Sequence, residues 1–314
     1  MNGNSAAEVR IAGVIVSYKP DHQALLELIE AIRPQVSELL IVNNGVATDL
    51  PSLSPELRVA TENLGDNHGI AHAQNVGIQH MLTGGATHVL LLDQDSIPAP
   101  DMVQHLLLAL ERLQASGKRV AAVGPSYTDE RQGEVAPFVY RKGLSIARRP
   151  MSSENDMAEA DFLIASGCLI PAEAFARVGL MEEAMFIDYV DIEWGLRAQM
   201  LGMNSFGVYT AKMQHSLGDE WFSFRGRRIP VHSALRHYYH FRNALWLCRR
   251  PWISTAWRVI LLYRLLKQFA FFSIVAEDRR QQARMMTLGI WHGLRNRMGK
   301  LQAQSAMASR NMSP

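Results

Sequence analysis

The sequence predicts an α/β fold: a mixed, mostly parallel sheet flanked by helices, followed by a C-terminal helical extension. Between Ile11 and Gly124, short Val/Ile/Leu-rich runs alternate with helix-patterned stretches, which indicates βαβ units joined by right-handed crossovers. The run HVLLLDQDSIP, His88 to Pro98, stays apolar until it ends in Asp93 and Asp95. It reads as a buried parallel strand with two acids at its carboxyl end, where open α/β sheets bind ligands. Beyond residue 220 the chain becomes helical and strongly basic.

In order, IAGVIVSY is the first strand, and Ala24 to Ile32 follows as a helix because Leu25, Leu28, Ile29 and Ile32 recur at helical spacing. ELLIVNN and LRVATE are the next strands; Ile70 to Met81 is a helix, HVLLLD a strand, Met102 to Leu113 a helix and RVAAVG a strand. From Pro125 to Ala160 periodicity fades while Arg, Ser and Glu accumulate, so this stretch is expected to be a long irregular connection able to fold over a ligand. Order returns with DFLIASGCLIP, a helical stretch after Pro171, a helix from about Tyr189 to Leu201, and a strand SFGVYTAKMQ ending at His215. ALRHYYHFRNALWLCRR and STAWRVILLYRLLKQFAFFSIVA are helical, and a polar tail lies beyond Leu301.

With 314 residues and 48% hydrophobic content the chain can bury a substantial core. We divide it into an α/β region at 1–220, with a nucleotide-binding half at about 10–124 and a second half at about 160–220, a basic extension at 221–300 and a tail at 301–314. The two cysteines, Cys168 and Cys248, have no metal-ligand spacing and suggest no disulfide framework, which fits a reducing cytosol. Met1 to Arg10 is polar and the run Ile11 to Val16 is too short for a signal-peptide core.

The net charge of +2 conceals an asymmetry: residues 221–314 hold 17 Lys/Arg against 2 acids. Such a segment calls for an anionic partner, and its apolar-faced helices favour a membrane surface over nucleic acid. The longest apolar stretch approaches spanning length, but Arg258, Arg264 and Lys267 lie in or near it. It therefore reads as an interfacial amphipathic helix or as a helix packed on the α/β region. The implied location is cytoplasmic, peripheral at the inner face of the cell membrane.

An acid-x-acid triplet alone often only serves a turn. Its company matters here. VSYKP (Val16 to Pro20) and VNNG (Val42 to Gly45) follow strands and offer small or hydrogen-bonding groups to a nucleotide, although Asn43, Asn44 and Gly45 also suit a plain turn. In ENLGDNHGIAHAQNVGI, Glu62 to Ile78, glycines precede and enter a helix whose N-terminus favours phosphate; the alternative is a turn needing positive φ.

With SGCLI (Ser166 to Ile170), FIDYVDIEWGLRA (Phe186 to Ala198) and HSLGD (His215 to Asp219), these motifs resemble the inverting glycosyltransferases of family 2, which have the GT-A fold. The resemblance is strongest to the rhamnosyltransferase branch and spans about two-thirds of the chain. It implies transfer of L-rhamnose from dTDP-L-rhamnose to a glycan or lipid-linked acceptor, in cell-surface polysaccharide or rhamnolipid synthesis, with Mg²⁺ or Mn²⁺ as cofactor. It assigns the donor site to Ser17, Tyr18, Asn44, Asn63, Gly69, Asn75, Asp93, Gln94, Asp95, Ser166 and Gly167, the metal to Asp95 and His215, and the general base to Asp191. Carboxylate and imidazole groups are suitable ligands for such a metal site.

Each later acid also has a plainer reading. Asp191 would complete a capping box if Asp188 were the N-cap, and Glu193 would pair with Arg197 at i,i+4. Asp188 is a candidate for touching the acceptor, Trp194 for stacking on a sugar, and Arg236 and Arg242 for clamping phosphate, unless they lie on a solvated helix face. Val190 stands where many relatives have a second acid. A haloacid-dehalogenase-type phosphatase also uses an acid pair after a strand, but usually an early strand and with a later lysine. A catalytically idle nucleotide- or lipid-binding scaffold is the third reading. The enzyme reading requires Asp93, Asp95, Asp191 and His215 to converge on one cavity.

Overall fold

The computed structural model describes residues 8–128, 137–149, 156–215, 221–224, 227–230, 233–276 and 278–302. Its chain order is β1 (Ile11–Ser17), α1 (His22–Ile32), β2 (Glu38–Asn43), β3 (Ala60–Asn63), α2 (Ile70–Thr83), β4 (His88–Asp93), β5 (Ser96–Pro98), α3 (Met102–Ala115) and β6 (Val120–Thr128). Then come β7 (Phe138–Lys142), β8 (Ser145–Arg149), β9 (Met157–Ala160), β10 (Leu169–Pro171), α4 (Ala172–Val178), α5 (Val190–Met200) and β11 (Asn204–His215). A short pair, β12 (Trp221–Phe224) and β13 (Arg227–Pro230), precedes α6 (Ala234–Cys248), α7 (Thr255–Val275) and α8 (Arg279–Leu294).

The main sheet runs β3-β2-β1-β4-β10-β6-β11-β5, with β9 pairing β11 as well. Strands β3, β2, β1 and β4 are parallel, β10 enters antiparallel between β4 and β6, and β11 is parallel to β6. The chain leaves β1 to one side for β2 and returns on its other side for β4, so a crevice opens at the carboxyl ends of β1 and β4. Val16 is opposite Asp93 there, which sets Tyr18 beside the acid pair.

Period-two alternation sorts the strands onto two cores. Ile11, Ile15, Leu39, Ile41, Leu90 and Leu92 face α1 and α3. Ala12, Val14, Val16, Leu40, Val42, Val89 and Leu91 face the side that holds α2, α4 and α5. On that second side Gly77 of α2 meets Val14 and Val42 so closely that a Cβ would collide with the Val14 side chain, so the glycine lets α2 lie against the sheet. Phe241, Trp246, Leu247, Trp257 and Met286 of α6 to α8 belong to the same apolar cluster as Leu91 and Trp194.

The stretch from Pro125 to Ala160 departs from expectation. β6 continues through Pro125 to Thr128, β7 and β8 form a hairpin, and β9 joins the main sheet beside β11. The hairpin turns at Gly143, whose φ of 63° suits the first central residue of a tight two-residue turn. Its exposed Arg and Lys side chains mask the alternation that would otherwise mark strands.

The longest helix, α7, is packed rather than free. Trp257 donates its indole N–H to Asp161 at 3.2 Å and meets the Phe162 ring at 5.9 Å. Its opposite face stays apolar and open, with Val259, Leu262, Tyr263, Leu266 and Ile274 exposed. No helix among the described residues is long and apolar enough to cross a membrane.

Candidate active site

At the crevice the Gln94 side chain clips β4 to β1: Tyr18 N–H donates to Gln94 Oε1 at 2.7 Å and Gln94 Nε2 donates to the Tyr18 carbonyl at 3.3 Å. Tyr18 is exposed beside it, whereas Ser17 is fully buried with its hydroxyl lacking a hydrogen-bond partner among the described residues. Asn43 donates to the Val46 carbonyl and to Asn63 Oδ1 at 2.7 and 2.8 Å, and its own Oδ1 also lacks a partner there. Two buried polar atoms without a partner among the described residues thus lie at adjacent strand ends, where a polar ligand could satisfy them.

Asn44 shapes the next loop. It donates to Asn67 Oδ1 at 3.2 Å and accepts from the His68 N–H at 2.8 Å, while Asn67 Oδ1 accepts from the Gly69 N–H at 2.9 Å. Gly69, with φ of 92°, opens α2, and a Cβ there would collide with the backbone of Phe186. The Ile70 N–H donates to the Phe186 carbonyl at 2.7 Å, tying the start of α2 to the segment before α5.

Behind the acid pair, the Asp93 N–H donates to Ser166 Oγ at 3.0 Å, and Ser166 Oγ shares a hydrogen bond with Ser96 Oγ at 2.7 Å. Ser166 is buried, so its hydroxyl props the turn from beneath. Gly167, with φ of 79°, lies against Pro125 where a side chain would not fit.

The segment Phe186 to Asp191 carries the carboxylate expected to be the base. Phe186, Asp188 and Tyr189 all have positive φ, at 65°, 64° and 67°. Each such non-glycine residue costs on the order of 1–3 kcal/mol, so surrounding contacts must hold the backbone. Asp191 follows in the first turn of α5. Burial raises its carboxyl from the ordinary range to about 6, opposed by a hydrogen bond from the Ile192 N–H and reinforced by the charges of Asp93 and Asp188. A small apolar pocket, walled by Leu91, Leu163, Cys168, Ile170 and Trp194, adjoins it. The same Asp191 charge, together with stronger desolvation, keeps the Tyr127 hydroxyl and Cys168 thiol protonated.

A model of glycosyl transferase family 2 matches residues 14–178, which contain the crevice and the acid pair. The chain belongs to glycosyl transferase family 2. This glycosyltransferase is 32% identical over 242 residues to dTDP-rhamnosyl transferase RfbF of Shigella flexneri, covering 76% of this chain and 80% of that one. It is 24% identical over 266 residues to galactofuranosyltransferase GlfT1 of Mycolicibacterium smegmatis, covering 78% and 82%. Its fold matches S. aureus TarS 1-349 in complex with UDP-GlcNAc with a TM-score of 0.56 at 11% identity, over 92% of this chain and 82% of that one. GalNAc-T7 with UDP, GalNAc and Mn²⁺ matches at 0.52 and 12% identity, over 87% of this chain and 58% of that one. The architecture is GT-A, and membership of the family removes the phosphatase alternative.

Several expected residues of the glycosyltransferase lie elsewhere than the motifs suggested. Arg242 is neither a phosphate clamp nor on a solvated face: it is 0% exposed and donates to the carbonyls of Ala184, Met185 and Gly299. Trp194 is no sugar platform, being buried against Phe175 with its N–H on the Gly179 carbonyl at 2.8 Å. The capping-box alternative for Asp191 also fails, because Tyr189 is the N-cap and Asp188 instead pairs with Arg236 at 3.3 Å. Asn75 spends its amide on Met181 and Glu183, in the segment between α4 and α5. Glu193 does pair with Arg197, bidentate at 2.8 Å for each bond.

For a metal, the ladder between β11 and β5 places the His215 backbone opposite Ser96, one residue from Asp95. The His215 side chain and the rest of HSLGD lie outside the described residues. Carboxylate oxygen and imidazole nitrogen suit a hard divalent ion that takes its other ligands from phosphate oxygens. Among the described residues no cluster of three or more His, Cys, Asp or Glu side chains would enclose such an ion. Asn243, Ser96 and Tyr127 went unnoticed in the sequence; a buried asparagine beside an arginine carries no local periodic signal.

The raised pKa has a thermodynamic consequence. A carboxyl whose folded pKa exceeds its unfolded value costs nothing below the unfolded pKa, near 4, and destabilises increasingly as pH climbs through about 6. Asp191→Asn is therefore expected to raise Tm at pH 7.5, with the advantage vanishing below pH about 4; calorimetric melting across that range reads it directly. An unchanged or lowered Tm at pH 7.5 would contradict a desolvated Asp191.

Proposed function

We propose that this enzyme is an inverting, divalent-metal-dependent rhamnosyltransferase that moves L-rhamnose from dTDP-L-rhamnose to a hydroxyl of a glycan or lipid-linked acceptor. The observation that supports the reading is that Asp191, whose carboxyl pKa is pushed by burial up to about 6, lines the same pocket as Leu91 of β4, the strand that ends in Asp93. A base poised near the working pH combines a useful ionised fraction with useful proton affinity. The donor identity draws on the name of the Shigella relative, dTDP-rhamnosyl transferase, which is more similar than the galactofuranosyltransferase.

In this reading Ser17, Tyr18, Asn44, Asn63 and Gln94 border the nucleoside, and the Gly69 turn with the start of α2 faces the diphosphate. Asn75, Ser166 and Gly167 support that pocket from behind, and Asp93 meets the ribose. The acceptor oxygen forms its bond to the anomeric carbon as the bond from that carbon to the diphosphate oxygen breaks. Configuration inverts, the acceptor proton passes to Asp191, and nucleoside diphosphate leaves. Asp95 and His215 would hold Mg²⁺ or Mn²⁺, which when bound neutralises charge on the departing diphosphate.

We further propose that the enzyme works at the cytoplasmic membrane face, where a lipid-linked acceptor or surface-polysaccharide precursor would be presented. Support comes from the open apolar stripe of α7, with exposed Lys267, Arg279 and Arg280 at its margin and end.

A panel of nucleotide sugars with divalent metal, scored for nucleoside diphosphate release, is expected to single out dTDP-L-rhamnose; a different preferred sugar would overturn the donor. Asp191→Asn should lose turnover by about 10²–10⁴-fold while retaining donor binding, and wild-type kcat should fall about tenfold per pH unit below about 6. Near-normal turnover of that variant would refute the base. Asp95→Ala should abolish the Mn²⁺-dependent part of donor affinity in titration calorimetry; an undiminished Mn²⁺ effect would remove Asp95 from the metal site. Flotation with vesicles should recover more protein on anionic than on neutral lipid, and less after Leu266→Glu. Equal recovery in all cases would exclude the α7 face.

A further inference from the structure

The backbone that carries Asp191 is held from outside by the C-terminal extension. Asn243 of α6 is fully buried, and its Nδ2 donates to the carbonyls of Met185, Ile187 and Asp188 at 2.9, 2.8 and 2.9 Å. An amide nitrogen has only two hydrogens, so one of them is shared between acceptors. Asn243 Oδ1 accepts from Arg242 Nε at 3.0 Å, which fixes which end of the amide faces the loop. Arg242 itself donates to the Met185 carbonyl at 2.8 Å.

These carbonyls bracket the residues whose φ values are positive: Phe186, Asp188 and Tyr189. Left alone, such a segment would relax towards negative φ, turning its carbonyls away from α6 and rotating the start of α5. Asp191 sits two residues after Tyr189 and would move with it. On the other side the Phe186 carbonyl is fastened to the Ile70 N–H at the start of α2. The loop therefore spans from the donor-side helix to α6, and Asn243 is the side chain that grips most of it.

We propose that Asn243 is a positioning residue for glycosyl transfer: by holding the carbonyls of Met185, Ile187 and Asp188 it keeps the Asp191 carboxylate aimed into the crevice. This rests on Asp191 being the base. It makes α6 part of the catalytic apparatus rather than an accessory to it.

The test uses the full-length enzyme and compares Asn243→Ala and Asn243→Ser with Leu247→Ala, a buried α6 residue with no hydrogen bond to the loop. Asn243→Ala should lower kcat about 100-fold, the scale on which small misplacements of a catalytic group act, without weakening donor binding by calorimetry. The acid limb of kcat should move below pH 6 as solvent reaches a freed Asp191, and Asn243→Ser, which keeps one donor, should fall between. Leu247→Ala should lower Tm and leave the limb where it was.

In an Asp191→Asn background, Asn243→Ala should cost no further turnover. If the Asn243 variants lose only Tm, with kcat per folded molecule and the acid limb unchanged, the positioning role is wrong. Additive losses in the double variant would also overturn it. Near-normal turnover of Asp191→Asn alone would instead defeat the base assignment, which separates the two failures. Circular dichroism supplies the folded fraction; should Asn243→Ala not fold, Asn243→Ser carries the same comparison.

Discussion

The desolvation of Asp191 beside Asp93 is the constraint that the surrounding structure serves. Ionising one carboxylate near another in an apolar setting is unfavourable, and the carboxyl responds by holding its proton up to about pH 6. A relaxed chain would avoid this by swinging the side chain into water. Here the alternatives are blocked by positive-φ backbone at Phe186, Asp188 and Tyr189, by α2 against the Phe186 carbonyl, and by Arg242 and Asn243 against neighbouring carbonyls. Strain and charge burial concentrated in one segment, with compensation in buried hydrogen bonds elsewhere, is how functional sites commonly depart from the local optimum.

The same logic explains why α6 carries such polar side chains into an interior. His237, Arg242 and Asn243 are all buried, and the neighbouring partners are specific: His237 with Gln282 at 2.6 Å, Tyr238 with His292 at 2.7 Å. A half-satisfied network of this kind would be worse than an apolar core, whereas a satisfied one selects a single packing of α6 on α8. The Arg242 guanidinium also lies over Tyr239 and Tyr238, 4.8 and 5.4 Å from their ring centres. Its burial lowers its pKa from the usual arginine value.

The parallel half of the sheet was legible in the sequence because apolar runs such as HVLLLD are long enough to signal a strand and end in recognisable turn residues. β10 was not, since Leu169–Pro171 is three residues long and its place between β4 and β6 depends on a long-range antiparallel pairing. Motif order singled out Asp93, Asp95 and Asp191, but the raised pKa of Asp191 comes from burial, reinforced by the Asp93 charge, which no local pattern contains. Arg242 misled for a related reason. Arginine followed by asparagine on an aromatic helix looks alike whether it faces water or a cluster of carbonyls; only Tyr238 and Tyr239, one turn earlier, hinted at an enclosed guanidinium.

Seventeen Lys/Arg beyond residue 220 suggest a uniformly basic surface, yet Arg242 is spent on interior carbonyls, Arg249 caps the end of α8 through Gly293 and Leu294, and Arg258 binds the Arg250 carbonyl. Cations at helix C-termini answer unpaired carbonyls and the helix dipole, so they stabilise the extension whether or not a membrane is near. Attraction to an anionic surface falls to the exposed remainder, such as Lys267, Arg279, Arg280, Arg295 and Arg297. A net charge counted from sequence thus overstates the field available for docking. The proposed membrane contact rests more on the exposed apolar stripe of α7, at Val259, Leu262, Tyr263, Leu266 and Ile274, than on net charge.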